Sequence, residues 1–549
     1  MASHFTFLPN PTLTLRRSHN KISLSSIQFS NARFSVSCSS SSQAYDVVIV
    51  GAGVIGLTIA RHFLVSSDLS VAIVDKAVPC SGATGAGQGH LWMVNKSIGS
   101  ATWDLASRSH QLWKMLAQGL QEQGLDPMVE LGWKQSGSLL IGRTDADSDM
   151  LKGRVKQLCE AGLKAEYLCS RELINEEPDL LVDNDIAAAF LPDDCQLDAY
   201  RTVAYIEKTN RNFASKGRYA EFYHDPVKCF IRSDSNGEVK AVQTSKNTLY
   251  SKKAVIVAAG CWTGCLIQEL FRNWGMELHV PVRPRKGHLL VLQNFNFLQL
   301  NHGLMETDYL NHPTISGSDS SEQEKNLSVS MVASIDTAGN LLLGSSREFV
   351  GFNTDLDESV VSYIWKRVGE FFPKLKTLSL SDLSASRKVR IGLRPYMPDG
   401  KPVIGPVPAL SNLYLAAGHE GSGLSMALGT AEMVVEMVLG YPGKVDSAPF
   451  AVDQVGQVCE IFIPTRRSAT DERFDFVHFV DVIINEKDLE SMLYGIHRRQ
   501  QDLAQLLYFK RKTEDTSSAK VHAGQVQNNV YTRRDKKMYD NALRPGWKS

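Results

Sequence analysis

The stretch Tyr45–Asp75, YDVVIVGAGVIGLTIARHFLVSSDLSVAIVD, constrains this chain more than any other. Val47 to Val50 is an apolar, β-branched run of strand length, and Gly51, Gly53 and Gly56 follow without a spacer. A second apolar run, Val71 to Val74, closes on Asp75, 19 residues after Gly56. The pattern predicts a strand, a tight turn, a helix and a parallel neighbouring strand. Gly51 permits the turn, Gly53 lets backbone approach a pyrophosphate, and Gly56 lets the helix pack closely on the strand. The helix N-terminus then offers free N–H groups and a positive dipole end to phosphates. Asp75 stands where a carboxylate bonds ribose hydroxyls. Strand, glycines, helix, second strand and acid in register form a dinucleotide fingerprint, with Ala52, Val54 and Ile55 filling its variable positions.

Residues 79–90, PCSGATGAGQGH, are dense in Gly and small side chains. Such backbone lies against something flat or charged, and Ser81 and Thr84 can donate to phosphate oxygens. Residues 101–124 and 146–163 read as helices and 135–143 as a strand. Asp198 is expected to cap a helix carrying the amphipathic run Val203, Ile206 and Phe213. Val227 lies in a short strand, a hairpin signal follows at Ser235 to Gly237, and Ala254 to Ala259 forms a fully apolar strand running into Gly260 and Trp262. Parallel strands buried on both faces have this composition. Arg283, Arg285, Lys286 and His288 cluster in HVPVRPRKGHLLVL, residues 279–292. They read either as a solvated basic turn or with Lys286 or His288 facing a ligand. Strands follow at 327–333 and 340–347.

Residues 387–429 form a second anchor, RKVRIGLRPYMPDGKPVIGPVPALSNLYLAAGHEGSGLSMALG. A strand at 413–417 ends at Gly418, and Gly421, Ser422, Gly423 and Leu424 lead into an apolar helix whose N-terminus points at the ligand from the opposite end.

Over about residues 45–450 the chain resembles the FAD-dependent oxidoreductases of the D-amino-acid oxidase, glycine oxidase and sarcosine oxidase superfamily. The resemblance rests on the fingerprint, the loop behind it, AAG-x-W at 258–262, and the ordered G-L-R-P, P-D-G-x-P and G-H-x-x-x-G motifs. It implies an α/β fold: an FAD-binding Rossmann-like domain of the glutathione-reductase type with an inserted mixed-sheet α+β substrate domain. The implied FAD-binding parts are 45–105, 198–264 and 386–450, and the substrate parts are 106–197 and 265–385. Beyond the fingerprint residues, the resemblance assigns Lys76, Ser81, Ala83, Thr84, Val227, Gly260, Trp262, Gly418, Gly421, Ser422, Gly423 and Leu424 to FAD. An ordinary core tryptophan is the alternative for Trp262.

Arg394, in G-L-R-P, is implied to hold a substrate carboxylate, which its planar fork matches. The alternative is an ion pair with Asp399. The places where the family forms covalent flavin links correspond to Gly392 and Ala86, so noncovalent FAD is expected. The G-H-x-x-x-G turn carries Glu420, Gly421 and Ser422 where glycine oxidases tend to have a further basic residue, which argues against a simple glycine or sarcosine substrate. The oxygen-activating lysine of sarcosine oxidases has no counterpart in LLLGSS, so oxygen or another electron acceptor is expected. The implied reaction is oxidation of an amino acid or secondary amine by hydride transfer to flavin N5. Two further readings are a 2-hydroxy-acid dehydrogenase and a catalytically silent FAD-binding assembly or scaffold protein.

Residues 1–44 contain no acidic residue, are rich in Ser and carry Arg16, Arg17, Lys21 and Arg33. This is the composition of an organellar transit peptide, chloroplast first and mitochondrial second. Lys plus Arg equals Asp plus Glu, 59 against 59, which gives no electrostatic case for nucleic acid. No apolar run in the sequence reads as a membrane span. The nine cysteines show no metal-ligand spacing. Residues 453–549 form an extension of unknown role, with a helical stripe from Asn485 to Leu507 and a polar remainder expected to be disordered.

Overall fold

The computed structural model describes residues 41–460 apart from 234–236, 273, 275, 312–326, 409 and 455–458. The expectations for residues 1–40, for the stripe from Asn485 to Leu507 and for the polar remainder lie outside the described residues.

Val47–Val50 pairs in parallel with Val71–Val74 on one side and Ala254–Val257 on the other. Val47, Val48 and Ile49 are fully buried, as the unalternating run requires of a strand covered on both faces. The strand begins at Ser41, opposite Asn247, four residues ahead of the boundary expected from composition. The first sheet runs 403–407, 410–417, 247–257, 41–50, 71–74, 219–222, with the 227–232 and 239–244 hairpin attached to 247–257. All neighbours from 410–417 to 219–222 are parallel.

One face of this sheet carries the helix Val54–Ser66, the terminal helix Gly423–Leu439 and the helix Trp103–Glu122 in a single core. These helices approach to backbone distance. A Cβ on Gly429 would stand 2.9 Å from the Leu105 carbonyl oxygen, and the Trp113 indole N–H donates to the Leu424 carbonyl at 3.1 Å. Those contacts fix the N-terminus of the terminal helix. Glu420–Leu439 is, by length and composition, able to cross a membrane, contrary to the sequence reading; two thirds of it is buried within the fold. Asp198 caps Ala199–Arg211 as expected, accepting from the Arg201 N–H at 2.8 Å.

The second sheet runs 387–396, 283–292, 341–347, 328–335, 303–306, 138–142, 187–191, 166–168. Only 303–306 and 138–142 pair in parallel. Leu290, Leu292 and Leu343 pack under the helix Glu358–Phe371. The strand Arg387–Tyr396, grouped by sequence with the cofactor-binding parts, pairs with Arg283–Leu292 over all ten residues and is an edge of this second sheet. It brings Arg394 opposite Arg285.

Candidate functional site

A cavity of about 600 Å³ extends from the fingerprint turn to the N-terminus of the terminal helix. At its first end, Gly51 has φ +115°, and a Cβ there would stand 2.3 Å from the Ala258 carbonyl oxygen. Gly53 faces open space bounded by the Thr84 hydroxyl, which accepts from the Val54 N–H at 3.2 Å. The first N–H groups of a helix thus point at a polar wall with room for an anion. Asp75 lies beside them, its carboxylate accepting from Ala52 N–H and Ala77 N–H, both at 2.7 Å. Lys76, Ser81, Ala83 and Val227 also line the cavity.

Further along, Gly260 (φ +57°) presents open space where its Cβ would be. Trp262 lines the cavity and is only partly buried, with the Lys76 ammonium over its ring at 3.9 Å and Phe352 stacked at 5.7 Å. It packs against the core beneath the first sheet while bordering the cavity. At the far end Gly421, Ser422, Gly423 and Leu424 line the wall, and Lys96 reaches in from a distant loop to donate to the Ser422 hydroxyl at 2.7 Å. Burial pulls the Lys96 ammonium down to about 8, against the opposing pull of Glu420 and Asp194. Two helix N-termini and a cleft of small residues between them suit an elongated dinucleotide. FAD fits this donor set, with the pyrophosphate at Gly53 and Thr84 and the flavin toward Gly423.

Arg394 enters from the second sheet. Its Nη1 donates to the Ser346 carbonyl at 2.8 Å, and no carboxylate lies within ion-pair distance of it among the described residues. Asp399 is bridged by Lys401 at 3.5 Å, so the alternative ion pair is not formed. Burial lowers the Arg394 guanidinium, with Arg347 adding to that and Glu420 opposing it. Glu420 sits 3.5 Å from Arg285. Burial would raise its carboxyl, but Arg394, Arg347 and Arg285 outweigh that and hold it below the ordinary value.

Three sequence assignments, Lys286, Gly56 and Gly418, fall outside the cavity lining, and a fourth, His288, borders it with its ring nitrogens engaged. Lys286 does not reach the cavity. Its Nζ is 3.6 Å from Glu348 and donates to Asn353 at 3.2 Å, because alternation along the strand puts Arg285 and Gly287 on the Arg394 face and Lys286 on the other. His288 reaches the cavity edge, but Nδ1 lies 3.2 Å from Ser346 Oγ and Nε2 accepts from the Asp357 N–H at 3.3 Å. Gly56 and Gly418 lie outside the lining. A Cβ on Gly56 would stand 2.0 Å from the Gly51 carbonyl oxygen, and one on Gly418 (φ +81°) 2.5 Å from Met397. Both serve close packing and turning. Sequence reasoning missed Lys96 and Tyr309, which line the cavity from two separate segments. It noted Arg285 and Glu420 without assigning them to the site.

A glycine oxidase of Geobacillus kaustophilus (strain HTA426) is 27% identical over 418 residues, covering 75% of this chain and 98% of that relative. The crystal structure of glycine oxidase from Geobacillus kaustophilus superposes with a TM-score of 0.61 at 23% identity, over 75% of this chain and 98% of its own. That of L-proline dehydrogenase from P. horikoshii does so with 0.61 at 20% identity, over 75% and 97%. The family described as FAD dependent oxidoreductase matches residues 46–437, and this chain, an FAD-dependent amine or amino-acid oxidoreductase, belongs to it.

Proposed function

We propose that this protein oxidises an amino acid, or a secondary amine carrying a carboxylate, at the carbon between nitrogen and carboxylate. The observation that carries the reading is Arg394: a partly buried guanidinium in the cavity wall with no carboxylate within ion-pair distance among the described residues. FAD, when bound, supplies the hydride acceptor at flavin N5, and the amine leaves as an imine that water hydrolyses. The chain's part is placement. Arg394 holds the carboxylate in a two-point fork, while its bond to the Ser346 carbonyl fixes the fork's direction. Gly392 and Ala86 face each other so closely that a Cβ on Gly392 would stand 2.7 Å from Ala86 Cβ, and neither offers a nucleophile, which supports noncovalent FAD.

An amine is favoured over a 2-hydroxy acid by the state of the cavity's histidines. Oxidising an alcohol carbon calls for a base to take the hydroxyl proton, whereas a neutral amine needs none. Burial pushes His90 and His419 down to about 3 and His288 to about 4, and each is engaged through a ring nitrogen, with Ser334, Thr430 and Ser346. Anaerobic addition of a panel of amines and 2-hydroxy acids, with the flavin absorbance followed, tests the reading. Bleaching by amino acids or secondary amines is expected, and bleaching by hydroxy acids alone would overturn it. Bleaching by none would favour the silent scaffold. The acid-free, Ser-rich and Arg-bearing leader supports a plastid address, which import of a fusion carrying residues 1–44 would test.

A further inference from the structure

Lys96 reaches from the loop after the strand His90–Leu91 to a turn 326 residues further along the chain, where its Nζ donates to the Ser422 hydroxyl at 2.7 Å. Ser422 is the N-cap of the terminal helix Gly423–Leu439, and Lys96, Ser422 and Gly423 all line the cavity. No carboxylate lies within ion-pair distance of the ammonium among the described residues, and Glu420 and Asp194 act on it only from farther away. The loop that carries it is clamped from two sides. The Asp194 carboxylate accepts from the Met93 N–H at 2.9 Å, the Val94 N–H at 3.2 Å and the Ser138 hydroxyl at 2.6 Å. Arg154 donates to the carbonyl of Val94 and, at 2.8 Å, to that of Lys96 itself. Trp92, Met93 and Val94 are buried.

A neutral donor would tie this loop to the helix as well as an ammonium does. A cation at a helix N-terminus opposes the macrodipole, and inside the fold, with no acid in contact, the placement is unfavourable by itself. It becomes favourable when negative charge comes to the space that both the helix end and the ammonium border. That space is the end of the cavity that takes the flavin. Accepting a hydride leaves negative charge on a flavin, and fixed cations and dipoles stabilise it there. The G-H-x-x-x-G turn offers Glu420, Gly421 and Ser422 and no basic residue of its own.

We infer that Lys96 supplies, from a separate loop, the cation that this turn lacks, and so raises the affinity of the bound flavin for electrons. Asp194 and Arg154 are positioning residues: they touch the loop backbone and hold the ammonium at Ser422. The inference rests on FAD occupancy and is independent of which substrate the protein oxidises.

Sulfite adds to oxidised flavin more tightly the more positive the flavin's surroundings are, and it needs no amine substrate. The experiment titrates the FAD-loaded wild type, Lys96→Met, Lys96→Arg and Arg154→Leu with sulfite at neutral pH, following the flavin absorbance, and measures the flavin midpoint potential of each against reference dyes. The loss of one charge-assisted interaction predicts sulfite affinity about tenfold to a hundredfold weaker in Lys96→Met. Its potential should be lower by about 30 to about 60 mV, the same factor converted for two electrons. Lys96→Arg should recover part of both, and Arg154→Leu, which keeps the ammonium and frees its loop, should fall between Lys96→Met and the wild type. Unchanged sulfite affinity and potential in Lys96→Met overturn the inference. Equal losses in Lys96→Met and Lys96→Arg also overturn it, because they would show a tie that depends on shape and not on charge. Wild-type values in Arg154→Leu remove Arg154 as a positioning residue. If Lys96→Met does not hold FAD, Lys96→Gln, which keeps a donor for Ser422 without the charge, takes its place. If that variant fails as well, the wild type decides: sulfite bound no more tightly than by free FAD overturns the inference, and tighter binding supports it.

Discussion

Gly287 and Arg394 fit together so closely that a Cβ built on Gly287 would stand 2.3 Å from Arg394 Nη1 and 2.6 Å from Cζ. The guanidinium lies flat across the glycine because Gly287 and Arg394 share one face of paired strands, and the same Nη1 donates to the Ser346 carbonyl at 2.8 Å. Gly287→Ala should therefore displace the fork without unfolding the sheet. The expected result is a rise of about tenfold or more in KM for carboxylate substrates, the equivalent of one weakened charge-assisted hydrogen bond, with FAD content retained. An unchanged KM in a correctly loaded variant would remove Arg394 from substrate binding.

The fingerprint glycines separate folding from cofactor affinity. A Cβ on Gly56 would stand 2.0 Å from a backbone oxygen, whereas one on Gly53 meets only the Thr84 hydroxyl at 3.4 Å and points where the pyrophosphate is expected. Gly56→Ala should lose both thermal stability and FAD. Gly53→Ala should keep the stability of the cofactor-free protein and weaken FAD binding at least tenfold, read by titrating apoprotein with FAD and following flavin fluorescence. Equal FAD affinity in Gly53→Ala and the wild type would place the pyrophosphate elsewhere.

The cofactor end of this site was legible because its parts are contiguous. Val47 to Asp75 encodes strand, turn, helix and acid in one sweep, and Gly418 to Gly423 repeats the strand-to-helix turn at the other end. The anion end was not, because Lys96, Tyr309 and Arg394 come to one cavity only once the second sheet has formed. Lys286 shows the physical limit: in RPRKGH a one-residue change in facing exchanges the site side for the far side, and only pairing with Arg387–Tyr396 settles which residues face Arg394. Glu420, read as a departure from the family's basic residue, takes its meaning from three arginines brought to it by other strands.

Acid should loosen the joint between two of the helices that support the cavity. Glu432 on the terminal helix accepts from Arg108 Nε at 2.7 Å and Nη2 at 2.8 Å, and lies 2.6 Å from Lys444. Burial would raise its carboxyl, but Arg108 and Lys444 outweigh that and bring it down to about 2. A carboxyl lower in the folded state than in the unfolded contributes stability above its ordinary value of 4.5, and that contribution is lost as pH falls from there toward 2. Its size is roughly 3 kcal/mol at most. Glu432→Gln should be less stable than wild type at neutral pH, and the gap should close as pH drops through that window, measured by urea unfolding. A gap independent of pH would mean that the pair holds the helices by shape alone.

Lys96 should give the site a pH response of opposite sign for binding and for stability. Its ammonium, 2.7 Å from Ser422 Oγ, is held by burial at about 8 instead of 10.5. As pH rises through about 8 the cavity loses a positive charge, so carboxylate ligands should bind less tightly. Between 8 and 10.5 the unfolded chain binds more protons than the folded one, so the stability contribution from this group should rise with pH over the same window. Neighbouring groups do not confuse the reading: the arginines stay charged, and burial pushes Cys80 and Cys261 up to about 12. Malonate affinity, followed by the flavin spectrum from about pH 7 to about pH 9, should fall several-fold in the wild type. In Lys96→Met it should be weaker at the lower pH and nearly flat. A malonate affinity that is flat in the wild type, or that falls equally in Lys96→Met, would show that the ammonium at Ser422 takes no part in holding the anion.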